Sequence, residues 1–249
     1  MGFTFSHPAL VIPFKYLPRR FYSVTGLVAG SMIPDLEYFI GLRRESYYSH
    51  NLFGLLWLDL PQALIAAFLF HQYFRNILIR NLPAYFRLRL SCYETLQWGD
   101  YLRNSLWIVI ISILIGGFTH LLWDSFTSFD AFFVRKLTFL HWKVNIGGVR
   151  FYVYKLVKHG TSILGALFII YQFHQRPCHV EQNLKGDKYF WLFYISLFLC
   201  TLFALLLPGP SHQSYNAIVK TSITGGLLAL LGTTGFYYRH KWFRLFRKP

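Results

Sequence analysis

Carboxylates are scarce in this chain: Asp and Glu number 10 in 249 residues, against 25 Lys and Arg. Charged residues of both signs make up only 14%, where soluble domains carry about 25%. That leaves too little polar surface to cover a water-soluble globule. Cysteine is rarer still. Cys92, Cys178 and Cys200 are widely spaced with no CxxC pair, which argues against a disulfide framework and a thiolate metal site. There is no P-loop, no dinucleotide-binding glycine fingerprint, no GxSxG and no HExxH, so several common phosphate-binding, nucleophilic and zinc-protease chemistries lack their signatures. No internal repeat, low-complexity tract or Ser/Gly-rich linker divides the chain. Residues 1–20 lack a basic segment leading into an unbroken apolar core and a small-residue cleavage site, and read as retained rather than as a signal peptide.

What fills the chain instead is apolar: 54% of residues are hydrophobic and 20% aromatic. About 20 apolar residues in a helix cross the roughly 30 Å hydrocarbon layer, and five runs approach that length. Residues 52–74 form one, interrupted by Asp59 and Pro61. The segment between Arg103 and Asp124 holds His120 as its single ionisable group, and residues 155–173 give a shorter run with a polar first turn. Between Lys188 and Lys220 no Asp, Glu, Lys or Arg occurs, and Pro208-Gly209-Pro210 ends that run because proline cannot continue a helix. A last run reaches the basic tail Arg239–Lys248 and forms a helical hairpin with its predecessor. Residues 21–34 are too short to span, and read as half-inserted or packed against the other helices. Gly116-Gly117 and Gly225-Gly226 suit close helix packing better than phosphate binding.

The expected fold is therefore all-α: a polytopic transmembrane helical bundle of about five spans with a partly inserted N-terminal region. It forms a single membrane domain over residues 1–249, with a motif region at 1–51, a three-span core at 52–173 and a C-terminal hairpin at 174–249. The tail 239–249 carries five Lys and Arg and no acid, which places the C-terminus in the cytoplasm. Five arginines within 75–103 agree with an inside loop. The same count puts 41–51, 123–155 and 209–216 outside, against which stand Arg135, Lys136, Lys143, Arg150, Lys155 and Lys158. Because the cations flank apolar runs, the expected partners are the lipid bilayer and its anionic headgroups, not nucleic acid.

Ionisable groups near apolar spans are costly and point to function. His120 and Asp124 stand at i and i+4, on one helix face. Imidazole and carboxylate there fit an N/O metal site, and equally a hydrogen-bonded cap at the membrane boundary. Three other positions can join them: His7 before Pro8, Asp35 after Pro34 with Glu37 two residues on, and His50 at the head of the 52–74 run. Each also has a plain alternative: an interfacial histidine, a turn residue, a solvated loop residue. Under the five-span count His50, Asp124 and His159 fall on one membrane face, with Asp35 nearby. Asp59, within an apolar run, needs a partner or a proton, and reads as a structural or supporting group.

Taken together, Phe3-Thr4-Phe5-Ser6-His7-Pro8-Ala9, Gly30-Ser31-Met32-Ile33-Pro34-Asp35, Ser49-His50 with Asp59-Leu60-Pro61, Thr119-His120-Leu121-Leu122-Trp123-Asp124 and Lys158-His159-Gly160 resemble an uncharacterised bacterial multi-pass membrane family, domain of unknown function 4184. That resemblance covers most of the chain and implies architecture without a reaction. More distantly, the series His, Pro-Asp, Ser-His, His-x3-Asp is similar to predicted membrane-bound metal-dependent hydrolases and to the zinc-dependent phospholipase C and single-strand nuclease superfamily. The likeness implies His7, Asp35, His50, His120 and Asp124 as metal ligands. It departs in three places. No cleavage site supplies an amino-terminal ligand near His7, Asp130 stands where a further His is expected, and His159 is followed at the late motif's spacing by Ile163. One or two ions of zinc or another divalent transition metal are therefore expected, not three.

The resulting expectation is a metal-dependent hydrolase of a phosphoester or other ester at the membrane surface. Glu37 or Asp130 would be general base, and Asp59, Thr127 and His159 supporting groups. The alternative is a non-enzymatic membrane protein, a small transporter or assembly subunit, whose His/Asp cluster is structural. The family likeness places either in a bacterial cytoplasmic (inner) membrane.

Overall fold

The computed structural model describes residues 3–41, 48–177, 186–207 and 215–246, with the side chains of 41, 215–217 and 240–246 left aside. Pro208-Gly209-Pro210 and Cys178 lie outside the described residues. The chain is mostly helical. The principal elements are α1 (Val24–Met32), α2 (Leu52–Asn81), α3 (Leu106–Thr127), β1 (Lys143–Ile146), β2 (Val149–Tyr152), α4 (Val153–His174), α5 (Phe190–Leu206) and α6 (Tyr215–Phe246). Two compact units are formed, one from 1–37, 46–67 and 102–175, the other from 38–45, 68–101 and 176–249.

Among the described residues three helical stretches are long and apolar enough to cross a membrane: Leu52–Asn81, Leu106–Lys136 and Val153–His174. Their outward side chains support a membrane setting, since Trp107, Ile111 and Phe118 on α3 and Ile163, Leu164 and Leu167 on α4 are all exposed. The five-run reading is met only in part. α5 has 17 residues, about 26 Å at 1.5 Å per residue, short of the roughly 30 Å core.

α2 continues through the expected break at Pro61. Proline removes one backbone donor and crowds the preceding turn. The turn before it, Leu55–Asp59, is π-helical, a wider turn with a different hydrogen-bond register.

In the first unit α1 lies against α3, so residues 21–34 take the packed alternative. Ser23 caps α1 by accepting from Gly26 N at 3.2 Å, while its own amide donates to Ser112 Oγ at 2.8 Å. The contact needs glycine on both helices. A Cβ on Gly30 would stand 2.1 Å from the Ile113 carbonyl oxygen, and one on Gly116 would stand 2.3 Å from that of Leu27. The N-terminal 3-10 turn Thr4–Leu10 packs on α4, with Phe3 N donating to Ser162 Oγ at 3.3 Å.

One correction to the all-α expectation comes from residues 143–152, an antiparallel hairpin with Ile146 opposite Val149. Gly147 and Gly148 make its two-residue turn at φ 58° and 85°, the positive values that a tight turn of matching twist demands. Gly-Gly between β-branched residues is itself a hairpin signal.

The second unit holds the expected C-terminal hairpin, α5 against α6. Phe193 stacks on Phe236 at 4.8 Å, Phe190 meets Tyr237 at 5.3 Å, and Thr201 Oγ1 donates to the Gly225 carbonyl at 3.2 Å. Within the same unit, Asn81 Oδ1 accepts from Asp187 N at 2.7 Å and its carbonyl from Trp191 Nε1 at 2.6 Å.

The α1–α3 contact generates a stability prediction. Gly30→Ala drives a methyl into rigid backbone and is expected to cost about 1–3 kcal/mol. Gly160→Ala, with no atom within 4 Å, should stay within about 0.5 kcal/mol of the parent. Thermal unfolding of the two variants in detergent measures the contrast; equal midpoints would remove the close-packing account.

Candidate metal centre

Three chain segments bring four donor atoms together. Asp35 arrives on the 3-10 turn Ile33–Asp35 that follows α1, with Pro34 presetting the turn's backbone. His120 and Asp124 come from one face of α3. His50 precedes α2 at φ 58°, left-handed for a residue with a Cβ; such a conformation costs about 1 kcal/mol or more and is a feature of functional sites.

The loop that imposes it is clamped from two sides. Glu37 Oε2 accepts from the amides of Ser49 at 2.9 Å and Tyr48 at 3.3 Å. Ser49 Oγ donates to the buried Asp59 Oδ1 at 2.9 Å. Asn51 then caps α2, accepting from Gly54 N at 2.7 Å.

The donor atoms of Asp35, His50, His120 and Asp124 all lie within 4.8 Å of one another. His50 Nε2 is 3.5 Å from Asp35 Oδ1 and 3.6 Å from Asp124 Oδ2; His120 Nε2 is 3.7 and 4.0 Å from the same two oxygens. Donors held about 2.0–2.2 Å from a tetrahedral ion stand about 3.3–3.6 Å apart; the four imidazole–carboxylate distances, 3.5–4.0 Å, lie close to that spacing, and the whole set is somewhat wider, within 4.8 Å. Among the described residues this is the one such group of His, Cys, Asp or Glu.

The protonation pattern points the same way. His120 is fully buried, and its Nδ1 lies 2.8 Å from the Ser31 carbonyl oxygen. A carbonyl only accepts, so Nδ1 carries a proton and Nε2 is the ring atom turned toward the carboxylates. That Nε2 has no hydrogen-bond partner and faces two carboxylate oxygens. Two carboxylates no more than 4.8 Å apart repel each other by about 3–4 kcal/mol at an effective dielectric of about 20. A cation among these atoms would engage Nε2 and relieve the repulsion, and two imidazoles with two carboxylates are a donor set suited to zinc and its neighbours.

Asp35, Asp124 and His120 each have their other polar atom held by the protein, as ligands generally do. The Thr4 hydroxyl donates to Asp35 Oδ2, the Thr127 hydroxyl reaches Asp124 Oδ1 at 3.4 Å, and the Ser31 carbonyl receives His120. Burial alone raises the Asp35 carboxyl, but the contact with His50, the charge of His120 and the Thr4 hydroxyl outweigh it and hold Asp35 below the ordinary carboxylate range. Asp35 is therefore an anion at neutral pH, the form a metal needs.

The remaining sequence candidates fall elsewhere. His7 lies outside the four: its buried ring stacks on His120 with centroids 3.9 Å apart and planes at 20°, and it also meets Trp123 at 5.5 Å. Burial first, then the charge of His120, lowers its pKa to about 4. Glu37 clamps the His50 loop, a positioning role where the sequence pattern suggested a general base. Asp130 is 81% exposed and pairs with Arg135 at 3.8 Å, so it is not among the converging groups. His159 is exposed beside Phe3 and Ser162. Thr127 touches Asp124, and Asp59 anchors Ser49. Two contributors carry no recognisable signal of their own: Thr4, three residues before His7, and the carbonyl of Ser31.

A sequence family described as Domain of unknown function (DUF4184) matches residues 1–234. No curated protein and no solved structure matches the chain.

Loss of the Thr4 hydroxyl leaves Asp35 Oδ2 without its donor while removing no ligand. Thr4→Val is expected to weaken divalent-metal affinity about 10–100-fold, read by competition with a chromogenic chelator; an unchanged affinity would deny Thr4 this supporting part.

Proposed function

The chain belongs to the family of unknown function DUF4184, and we propose that it is a membrane-bound metalloenzyme. It hydrolyses an ester or phosphoester at the lipid surface, with Asp35, His50, His120 and Asp124 holding one divalent transition metal. The observation that carries the metal reading is the unpartnered, buried Nε2 of His120 facing two carboxylate oxygens. A divalent ion bound there supplies Lewis-acid polarisation of a scissile carbonyl or phosphoryl oxygen and acidifies water.

The chain's own groups divide the work. His120 and Asp35 have side chains 0% and 3% exposed, while His50 and Asp124 are 17% and 16% exposed. The centre is thus closed on the α1–α3 side and open along the His50–Asp124 edge, where water and substrate have access. His7, stacked on the His120 ring, excludes water from the closed side. Glu37 and Asp59 hold the His50 loop, and so set the width of the open edge.

A second reading has its own support. Four protein donors and no open position are typical of structural sites, and these four tie together the α1 turn, the His50 loop and α3. On that reading the protein is a non-enzymatic membrane component, a transporter or an assembly subunit.

For the setting we infer a bacterial cytoplasmic membrane, five crossings and a cytoplasmic C-terminus, resting on the family likeness and on the five Lys and Arg of residues 239–249. In that arrangement α5 and α6 cross as a pair.

Protein purified without added metal is expected to contain about one transition-metal ion per chain by elemental analysis. His120→Ala and Asp124→Ala should lose it while keeping their helical circular dichroism. Metal-free parent protein would sink the metal reading. Chelator-sensitive turnover on a panel of aryl esters and phosphoesters supports the hydrolase; metal-replete protein that turns over none of them, and melts earlier once stripped, selects the structural role.

A further inference from the structure

Between the two candidate spans Leu106–Lys136 and Val153–His174 the chain has sixteen residues, 137–152, and they contain the hairpin. Its pairing sorts the side chains completely. Val144 lies opposite Phe151 and Ile146 opposite Val149; on the other face Lys143 lies opposite Tyr152 and Asn145 opposite Arg150. Alternate residues of a strand point to opposite faces and paired residues share one, so one face is wholly apolar and the other polar and cationic.

The apolar face is uncovered. Val144, Ile146, Val149 and Phe151 are 42%, 51%, 55% and 37% exposed. A lone two-stranded hairpin is marginal in water, and four such side chains on one face of it are an aggregation hazard there.

The hairpin is nonetheless anchored. Val153 N donates to the Trp142 carbonyl at 2.9 Å, and its root rests on a small core of Val134, Leu140 and Tyr154. β2 runs into α4 without a linker, Tyr152 being followed by Val153 as the first helical residue. A strand that continues directly into a membrane-crossing helix cannot lie far from the end of the hydrocarbon.

We propose that this hairpin is a lipid-dipping element: its apolar face sits in the acyl boundary of the bilayer while its cationic face meets the phosphates of anionic headgroups. Charge complementarity singles out this occupant. Lys143 and Arg150 lie in the hairpin and Arg135, Lys136 and Lys155 flank it in sequence, with Lys143 Nζ over the Tyr152 ring at 4.9 Å and Lys155 Nζ at 6.0 Å. Cations combined with interfacial aromatics are the composition of membrane-surface elements. Trp142, 66% exposed at the hairpin root, adds an aromatic suited to the headgroup level. The inference stands on the hairpin and the spans, and does not depend on the metal centre.

The test uses full-length protein carrying Cys92→Ser, Cys178→Ser and Cys200→Ser, reconstituted in phosphatidylcholine vesicles with and without phosphatidylglycerol. An environment-sensitive fluorophore is placed by Ile146→Cys on the apolar face or by Asn145→Cys on the polar one. Quenching by spin-labelled lipid should be roughly threefold greater at 146 than at 145, and quenching by aqueous iodide should be reversed. Phosphatidylglycerol should raise the lipid quenching at 146, and Lys143→Gln with Arg150→Gln should abolish that increment. Equal iodide access at both positions overturns the proposal. So does protection of 146 from iodide and lipid together, which would mean that protein, such as a second copy of the chain, covers the face. An increment that survives the double substitution overturns the assignment of the cationic face to headgroups.

Discussion

A single hydrogen bond, from His120 Nδ1 to the carbonyl of Ser31, organises the candidate centre. It exists because α1 and α3 meet without side chains between them at Gly30 and Gly116, which brings a backbone oxygen of one helix onto a buried imidazole of the other. In an apolar setting that oxygen keeps a proton on Nδ1 and turns the opposite nitrogen toward Asp35 and Asp124. Asp35, fifth residue after Gly30, is carried to the same point by the turn that ends α1. Helix packing and metal chemistry are thus one constraint: a change that separates α1 from α3 also pulls apart the donors.

The centre sits where the chain can sustain charge. Two carboxylates in a mostly apolar first unit demand compensation, and the structure supplies it locally: hydroxyls from Thr4 and Thr127, imidazoles from His50 and His120, and room for a cation between them. The strained backbone of His50 fits this account, since the preceding Ser49 is held at its amide by Glu37 and at its hydroxyl by Asp59. These two acids, which in sequence look like candidates for chemistry, spend their oxygens on geometry instead.

The basic residues between 135 and 158 also find a physical place. As a loop on the outer face they run against the charge rule for topology. As the cationic face of an interfacial hairpin they anchor to headgroups and say less about sidedness. The same hairpin accounts for Val144, Ile146, Val149 and Phe151 standing exposed on one face.

Much of this was legible in the residues alone, and for identifiable reasons. Long runs free of charge announce helices in lipid whatever their neighbours, because backbone polar groups there must bond internally; α3 and α4 lie where those runs lie. The i, i+4 spacing put His120 and Asp124 on one face by helix geometry alone. Pro34-Asp35 and Ser49-His50 were recognisable as a set, being costly residue types beside apolar runs. What tertiary structure decided was which groups meet. His7, Glu37 and Asp130 have the same chemistry on paper as the four that converge, yet one stacks, one clamps and one faces solvent, since distances between remote segments depend on how the helices pack. The continuity of α2 through Pro61 and the partners supplied by Thr4 and the Ser31 carbonyl belong to the same class. A backbone oxygen has no letter in the sequence, and only the approach of two helices could aim one at His120.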